Sequence, residues 1–140
     1  MTGYYNNIQE TEKSFTDDGF FKTGDIAVMN DEGYLKIIDR KKDMIISSGY
    51  NVYPNELEDY LATHPDILEA GVIGVDDKNR GEYIKAFVVT KNDSLSSSDV
   101  ISFCKKGLTE YKVPKRIVFI KELPKTNVGK ILRRELRELN

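Results

Sequence analysis

Five consecutive charged residues, Asp39-Arg40-Lys41-Lys42-Asp43, separate two apolar segments of the chain. Residues 34–38 precede this run and residues 44–46 follow it. Charges that lack partners are costly to bury, because they lose their hydration without compensation. We therefore predict that the run forms an exposed connector, and we interpret it as a boundary between two structural units.

A turn-forming sequence, Asn30-Asp31-Glu32-Gly33, lies before the connector, between the apolar segments at residues 26–29 and 34–38. The glycine can adopt the positive φ that tight turns require. Two short apolar segments on either side of such a turn are typical of a β-hairpin. We therefore predict a hairpin in the first part of the chain.

After the connector, both helical and strand patterns occur. Pro54 suits the first turn of a helix, and Leu57, Tyr60 and Leu61 recur at the spacing of one helical face, which predicts a helix over residues 54–63. Further strands are predicted at residues 67–75, 83–90 and 116–120, with a polar loop at 76–82 between the first two.

Two more helices complete the predicted fold. Three serines at residues 96–98 offer an N-cap for a helix that extends to about Glu110. After a loop at residues 123–130, an amphipathic helix over residues 131–139 presents Leu132, Leu136 and Leu139. The predicted fold class is α+β, with a short hairpin and a small sheet flanked by helices.

The composition favours one modest globular core and excludes several functional classes. The chain has 140 residues, of which 39% are hydrophobic, and no apolar run approaches the length of a membrane span. Cys104 is the single cysteine and lies on an apolar helical stripe, so we interpret it as a core residue. With one histidine and no nucleophile motif, neither a metal site nor a catalytic triad is expected. The start of the sequence lacks the features of a secretory signal, and a cytoplasmic location is expected.

Charge is distributed unevenly along the chain. Residues 105–140 hold 11 Lys and Arg against 4 Asp and Glu, whereas residues 1–104 hold 10 against 19. Nucleic-acid binding is not favoured, because neither an aromatic platform nor a reading helix accompanies the basic residues. Anionic small molecules fit the basic segment better, and an ordinary solvated surface is the alternative.

Three stretches carry a resemblance to a known superfamily: FKTGD at residues 21–25, GYLKIIDRKKDMIISSGYNVYPNELE, which ends at Glu58, and LPKTNVGKILRREL at residues 123–136. The chain resembles the adenylate-forming enzymes, which include acyl-CoA synthetases, aryl-CoA ligases and luciferases, and it looks closest to bacterial long-chain fatty-acid-CoA ligases. The resemblance implies that residues 1–39 end a large AMP-binding domain, that residues 40–43 form a hinge, and that residues 44–140 form a small C-terminal lid domain.

By this resemblance, five residues have expected roles. Asp25 would hold the ribose hydroxyls of ATP, because a carboxylate accepts two strong hydrogen bonds from a diol, and Arg40 would also contact the nucleotide. Lys130 would be the catalytic lysine that enters the site during adenylation from a flexible loop. Lys42 would be the hinge residue, and Gly49 would lie against the CoA pantetheine channel, where a missing side chain permits close approach.

The implied reaction converts a fatty acid, ATP and CoA into acyl-CoA, AMP and diphosphate through an acyl-adenylate. Mg²⁺ would be bound mainly by the large domain upstream, which would be the main partner of this chain, and the chain alone would be inactive. An uncovered lid face would allow weak self-association, and peripheral contact with the inner face of the membrane is left open. The alternatives are another acyl- or aryl-CoA ligase, or a non-catalytic module that binds CoA or a nucleotide.

Overall fold

The computed structural model describes residues 1–77 and 81–139. These residues form two compact units, Met1–Lys42 and Asp43–Asn140. Their secondary structure is the α+β combination expected from the sequence, a two-stranded hairpin and a separate small sheet flanked by helices. The assignment of residues 1–39 to the end of a larger domain, with a hinge at 40–43, stays a prediction.

The first unit consists of a short helix and the predicted hairpin. Helix α1 (Ile8–Lys13) begins where the Asn7 side chain accepts a hydrogen bond from the Glu10 N–H (3.1 Å). Strands β1 (Asp25–Met29) and β2 (Leu35–Arg40) pair antiparallel. Gly33 turns the chain between them with a φ of 87°. The hairpin prediction is confirmed, whereas α1 was not predicted, because it buries no residue and therefore has no apolar periodicity.

Most of the large apolar side chains of the first unit are exposed. Within residues 1–42, all of which are described, Asp39 is the only buried residue. The exposed set includes side chains on both strands of the hairpin, namely Val28, Met29, Leu35 and Ile37. The first unit therefore lacks an apolar core of its own.

The second unit contains a mixed sheet of five described strands. They are β3 (Ile45–Ser47), β4 (Tyr50–Val52), β5 (Ile67–Asp77), β6 (Gly81–Thr90) and β7 (Arg116–Phe119). Strand β6 is central, because β5 pairs with it antiparallel along one edge, while β3 and the parallel strand β7 pair with different parts of the other edge. Strand β4 extends the sheet beyond β3.

Helices cover both faces of this sheet. Helices α2 (Pro54–Ala62) and α3 (Ser97–Gly107) enclose one apolar cluster, and the short helix α4 (Arg133–Glu138) encloses a second. Because side chains alternate along a strand, β6 contributes to both clusters. Its residues in the first are Ile84, Ala86 and Val88, and its residues in the second are Phe87 and Val89.

The prediction that the whole charged run is an exposed connector is wrong for its two acidic ends. Arg40, Lys41 and Lys42 are exposed, but Asp39 and Asp43 are buried. Asp39 accepts a hydrogen bond from the Arg40 N–H (2.7 Å), and Asp43 is ion-paired with Arg137. Each carboxylate can be buried because hydrogen-bond donors compensate its charge. The donor to Asp43 lies far along the chain, so the local sequence does not reveal it.

Three predicted boundaries also change. Asp76, Asp77, Gly81 and Glu82 belong to strands rather than to a polar loop, because the antiparallel ladder continues as far as the Asp77 and Gly81 pair. Residues 78–80 of that predicted loop lie outside the described part of the chain. Helix α3 ends at Gly107 instead of about Glu110, and the helix predicted at 131–139 is limited to Arg133–Glu138.

Candidate functional site

Asp25 and Arg40 lie opposite each other in the hairpin register of the first unit. Arg40 Nη1 is 3.1 Å from Asp25 Oδ1, in an ion pair whose arginine side chain is 55% exposed. The Asp25 N–H donates to Thr23 Oγ1 (3.1 Å), which fixes the backbone where β1 begins. Among the described residues, Asp25 Oδ2 has no hydrogen-bond partner, so this oxygen can accept a bond from a ligand.

Lys42 is the last residue of the first unit and lies in a 3-10 helix, Lys41–Asp43. A hollow of about 470 Å³ is lined by Gly24, Arg40, Lys41 and Lys42. The Lys41 N–H donates to the Gly24 carbonyl (2.8 Å), which closes the backbone on one side of this hollow. Three cationic residues around one hollow make it suitable for an anionic group.

Gly49 occupies a two-residue turn between β3 and β4. Ser47 pairs with Tyr50 across the turn, and Ser48 and Gly49 have φ values of 52° and 83°. Positive φ at both central residues is the requirement of a type I′ turn. A Cβ atom added at Gly49 would have no described atom within 4 Å, so the surface above Gly49 is open.

The carboxylate of Glu82 fixes the strand that carries this turn. Glu82 Oε2 accepts a hydrogen bond from the Ile46 N–H (2.7 Å), in addition to the backbone pairing of β3 with β6 at Ser47 and Gly81. The carboxylate lies directly over Gly74, where an added Cβ would overlap Glu82 Oε1. The position of the Gly49 turn therefore depends on a glycine on β5 and an acidic residue on β6.

An open cavity of about 530 Å³ lies beside the turn and is lined by Ser48 and Tyr50 among other residues. Tyr50 stacks on Tyr111 with ring centroids 4.5 Å apart. Lys105 and Lys115 also line this cavity. Glu82 and Glu110 line it as well, and Lys115 is paired with Asp77, so the stacked rings and Lys105 are the groups available to a ligand with an apolar part and an anionic group.

Lys130 lies at the end of a closed loop. Lys125 and Ile131 form an isolated β-bridge at its base. Within the loop, the Thr126 N–H donates to the Lys130 carbonyl (2.8 Å) and the Lys130 N–H donates to Thr126 Oγ1 (3.1 Å). The side chain of Lys130 is exposed, and no described residue forms an ion pair with its ammonium group. The loop is held by its own hydrogen bonds, while the amine is available to a ligand.

A polar cluster that the sequence analysis missed lies next to this loop. Arg133 contacts Glu58 through Nη2–Oε2 (2.7 Å) and Nε–Oε1 (3.2 Å). Its Nη2 also donates to Asn55 Oδ1 (2.6 Å). Asp43 Oδ2 lies 3.8 Å from Arg133 Nη1, and Arg137 Nη2 donates to Asp43 Oδ1 (3.0 Å). The available signal was the i, i+4 spacing of Arg133 and Arg137, which identifies one helical face but not its partners.

Part of the basic segment is ion-paired in the folded second unit. Within the described part of the chain, six of its 11 cationic residues form ion pairs with acidic residues of the second unit. Examples are Lys112 with Glu56 (2.5 Å) and Lys115 with Asp77 (3.1 Å). Five of these six residues pair with acidic residues before position 105, so the asymmetry of charge along the sequence is partly neutralised in the folded unit.

The structure brings together only part of the predicted site. Asp25 and Arg40 are in contact, whereas within the described residues no hydrogen bond or ion pair links Gly49 to Lys130.

Cys104 is buried in the first apolar cluster, as expected, and burial raises the pKa of its thiol to about 11. Within residues 1–77 and 81–139, no group of three His, Cys, Asp or Glu could hold a metal ion. No helix of the described chain is long and apolar enough to cross a membrane.

Known proteins resemble this chain in both sequence and structure. The model of the AMP-binding enzyme C-terminal domain family matches residues 56–130. The long-chain-fatty-acid–CoA ligase of Escherichia coli O6:H1 is 52% identical over 138 residues, covering 99% of this chain and 24% of that relative. The 2-succinylbenzoate–CoA ligase of Bacillus cereus is 41% identical over 139 residues, covering 99% and 29%. ATP-bound MatB from Rhodopseudomonas palustris superposes with a TM-score of 0.92 at 36% identity, covering 98% of this chain and 27% of that one. The chain thus spans about a quarter of the length of the curated relatives it matches.

Proposed function

This chain belongs to the AMP-binding enzyme C-terminal domain family, and from that premise we propose that it is the C-terminal part of a long-chain fatty-acid-CoA ligase. The observation that carries the proposal is the 52% identity, over nearly the whole chain, with the ligase of that name. The proposed reaction joins a fatty acid to CoA at the expense of ATP, in two steps, and requires the rest of the longer protein.

In the first proposed step, a carboxylate oxygen of the fatty acid attacks the α-phosphate of ATP. A bond forms between this oxygen and phosphorus while the bond to the leaving diphosphate breaks, which yields an acyl-adenylate. In the second step, the sulfur of CoA attacks the acyl carbon, AMP leaves with the electron pair of the broken bond, and the thiol proton passes to solvent. Both steps bring anionic groups together, so positioned cations favour them.

Lys130 is proposed to supply the cation for the first step. Its side chain is exposed and has no ion-pair partner among the described residues, while its backbone is held by the closed loop. A lysine presented in this way can align the attacking carboxylate and stabilise negative charge on the phosphoryl oxygens. The other charges of the basic segment are less suited to this role, since most of them are already paired.

Asp25 and Arg40 are proposed to bind the nucleotide. The ion pair with Arg40 uses Asp25 Oδ1 and leaves Oδ2 for a ribose hydroxyl. The exposed arginine retains donors for ribose or phosphate oxygens, because a guanidinium group has five N–H bonds. Lys42, which follows in the exposed 3-10 helix, is proposed as the hinge residue whose backbone torsion changes between the two steps.

Gly49 is proposed to contact the pantetheine arm of CoA in the second step. The open space above its Cα atom supports this role, since a ligand can approach the backbone there. The neighbouring cavity, with its stacked tyrosines and Lys105, is proposed to receive the remainder of CoA.

Mg²⁺ would shield the phosphate charges of ATP in the first step. The described residues include no group of three His, Cys, Asp or Glu that could hold it. We propose that the metal is held mainly by the part of the longer protein outside this chain. Asp25 and Arg40 would orient the nucleotide, and Lys130 would orient the attacking carboxylate.

The acid substrate has a second candidate. The 41% identity with a 2-succinylbenzoate–CoA ligase favours an aryl acid as the alternative to a fatty acid. Thioester formation with each acid by the full-length protein would separate the two, since the proposal expects a clear preference for the fatty acid.

The proposal is tested most directly by Lys130→Ala in the full-length protein. We expect fatty-acid-dependent pyrophosphate release to fall by about a hundredfold or more, while thioester formation from a supplied acyl-adenylate survives. Lys121→Ala is the matched control, because Lys121 is also exposed and has no ion-pair partner among the described residues. If pyrophosphate release persists in Lys130→Ala, the assignment of Lys130 is wrong.

A further inference from the structure

Arg133 lies at a junction between the Lys130 loop and the rest of the second unit. It is the first residue of α4 and follows Lys130 by three positions. Its guanidinium group is held by Glu58 through two atom pairs and by Asn55 through a third bond, so it is tied firmly to α2. The bidentate geometry restrains the direction of the side chain as well as its distance.

The partners of Arg133 extend this attachment to two other parts of the unit. Glu58 Oε1 also accepts the N–H of Val72 on β5 (2.9 Å). Asp43, the residue directly after Lys42, approaches Arg133 and accepts a hydrogen bond from Arg137. The side chains of Asp43, Glu58 and Arg133 are only 9%, 12% and 13% exposed. One polar cluster therefore links the start of the second unit, α2, β5 and α4.

Apolar packing alone does not fix the direction of α4. The helix has six residues and buries one of them, Leu136. Leu136 rests close to Gly71, where an added Cβ would lie 2.8 Å from Leu136 Cδ1. Ile131, two residues before the helix, packs against the same cluster, but these two apolar contacts leave the rotation of the short helix about its axis less restrained. The charge-assisted bonds of Arg133, and of Arg137 one turn later, remove this freedom.

Lys130 depends on the same attachment. Its own side chain has no described ion-pair partner, so its position is set by the backbone on either side. On one side, the loop is closed by the bridge between Lys125 and Ile131. On the other, the Leu132 N–H donates to the Pro124 carbonyl (2.8 Å) and the chain enters α4 at Arg133.

From this geometry we infer that Arg133 is a positioning residue for the adenylation step. Arg133 fixes the Lys130 loop relative to Asp43, the residue next to the proposed hinge. The inference rests on the proposed function, because the role of Lys130 is itself proposed. A change of backbone torsion at Lys42 then moves Asp43, α2 and the Lys130 loop as one body. Loss of Arg133 leaves Lys130 present but misplaced.

The experiment compares Arg133→Met with Arg134→Met in the full-length protein. Arg134 is the adjacent arginine, 88% exposed, and is paired with Glu138 on the same helix. We expect Arg133→Met to lower the kcat of fatty-acid-dependent pyrophosphate release by about 10- to 100-fold, as for a displaced catalytic group. The KM for ATP and the rate of thioester formation from supplied acyl-adenylate should stay within about threefold. Arg134→Met should match the wild type, and Arg133→Lys should recover part of the lost rate.

Hydrogen exchange provides the second measurement. In Arg133→Met, the amides of Thr126, Gly129 and Lys130 should exchange faster, while those of Phe87 and Val88 in the central strand keep their protection. The inference is overturned if adenylation stays within threefold of Arg134→Met. It is also overturned if both half-reactions and the core amides are lost together, because Arg133 would then be structural only.

Two further outcomes are also decisive. If Arg133→Met does not fold, Glu58→Gln takes its place. Pyrophosphate release should then fall by about 3- to 10-fold while thioester formation from acyl-adenylate is kept. An equal loss of both activities overturns the inference. If the wild type releases no pyrophosphate with any fatty acid, the proposed function fails together with the catalytic part of the inference. The exchange comparison then decides alone whether Arg133 holds the loop.

Discussion

The second unit encloses apolar clusters on both faces of its sheet, whereas the first unit leaves the apolar side chains of its hairpin in solvent. Leu57, Val72 and Val88 are fully buried in the second unit. Leu35 and Met29 of the first unit are 72% and 69% exposed. A strand pattern therefore predicts local pairing without predicting a core, since the core requires a second layer. The exposed hairpin supports the proposal that residues 1–39 belong to a larger domain.

The largest expected contrast between the units comes from two matched leucines. Leu57→Ala should lower the free energy of unfolding of the chain by about 2–5 kcal/mol, because it leaves a cavity in the first apolar cluster. Leu35→Ala should change it by less than about 0.5 kcal/mol, because its side chain is already in water. Urea denaturation followed by circular dichroism measures both. Equal losses would show that the hairpin has a core of its own.

A smaller effect is expected where the sheet of the second unit is packed most closely. Gly74→Ala should cost about 1–3 kcal/mol, because the new methyl group displaces the Glu82 carboxylate from the Ile46 N–H. In a Glu82→Ala background, the same substitution should cost clearly less, since the obstructing side chain is gone. A double-mutant cycle by urea denaturation measures this coupling, and strict additivity would contradict it.

Alkaline pH should weaken the second unit through Cys104. Burial raises the pKa of this thiol from 9.0 to about 11. The pKa of the thiol is higher in the folded than in the unfolded state, so the unfolded state ionises first as the pH rises. The neutral thiol therefore contributes fully to stability below pH 9, and this contribution is lost as the pH rises toward 11. The loss should reach about 1.4 kcal/mol by pH 10. Cys104→Ala lacks this titration, so the wild type should lose stability relative to Cys104→Ala between pH 8 and pH 10. A constant difference would be the contrary result.

The smallest effect is expected for the ion pair of the first unit. Asp25→Asn should change the free energy of unfolding by only about 0.2–1 kcal/mol, because an ion pair exposed to water contributes little. Thermal unfolding at low and high salt would measure it. A loss of several kcal/mol would mean that the pair holds the hairpin together and would remove the contrast with the second unit.

Local patterns in the sequence predicted most of the elements but not their ends. Helix α2 was predicted to within one residue of its observed end, because Pro54 marks its start and His64-Pro65 marks its end. By contrast, Asp76 and Glu82 are polar yet belong to strands, because backbone pairing across the sheet does not depend on apolar side chains. The helix predicted to reach Glu110 ends earlier, at the glycine that lies against the ring of Tyr60.

Motifs in the sequence predicted which residues belong to the candidate site, but not which of them contact each other. The pairing of Asp25 with Arg40 follows from the hairpin register, which the sequence left undefined. The cluster around Arg133 joins residues 75 and 94 positions apart in the chain. Local periodicity contains no information about contacts at such separations, so the ion pairs of the basic segment could not be predicted.

The separation of Asp43 and Arg137 by 94 positions has a consequence during protein synthesis. At about 5–20 residues per second, Asp43 is translated roughly 5 to 20 seconds before Arg137. Until α4 has been translated, Asp43 lacks Arg137, Glu58 lacks Arg133, and the second face of the sheet lacks Leu136. A translation product that stops before α4 would consequently be a target for chaperones and quality-control proteases, rather than a slightly shorter version of the same domain.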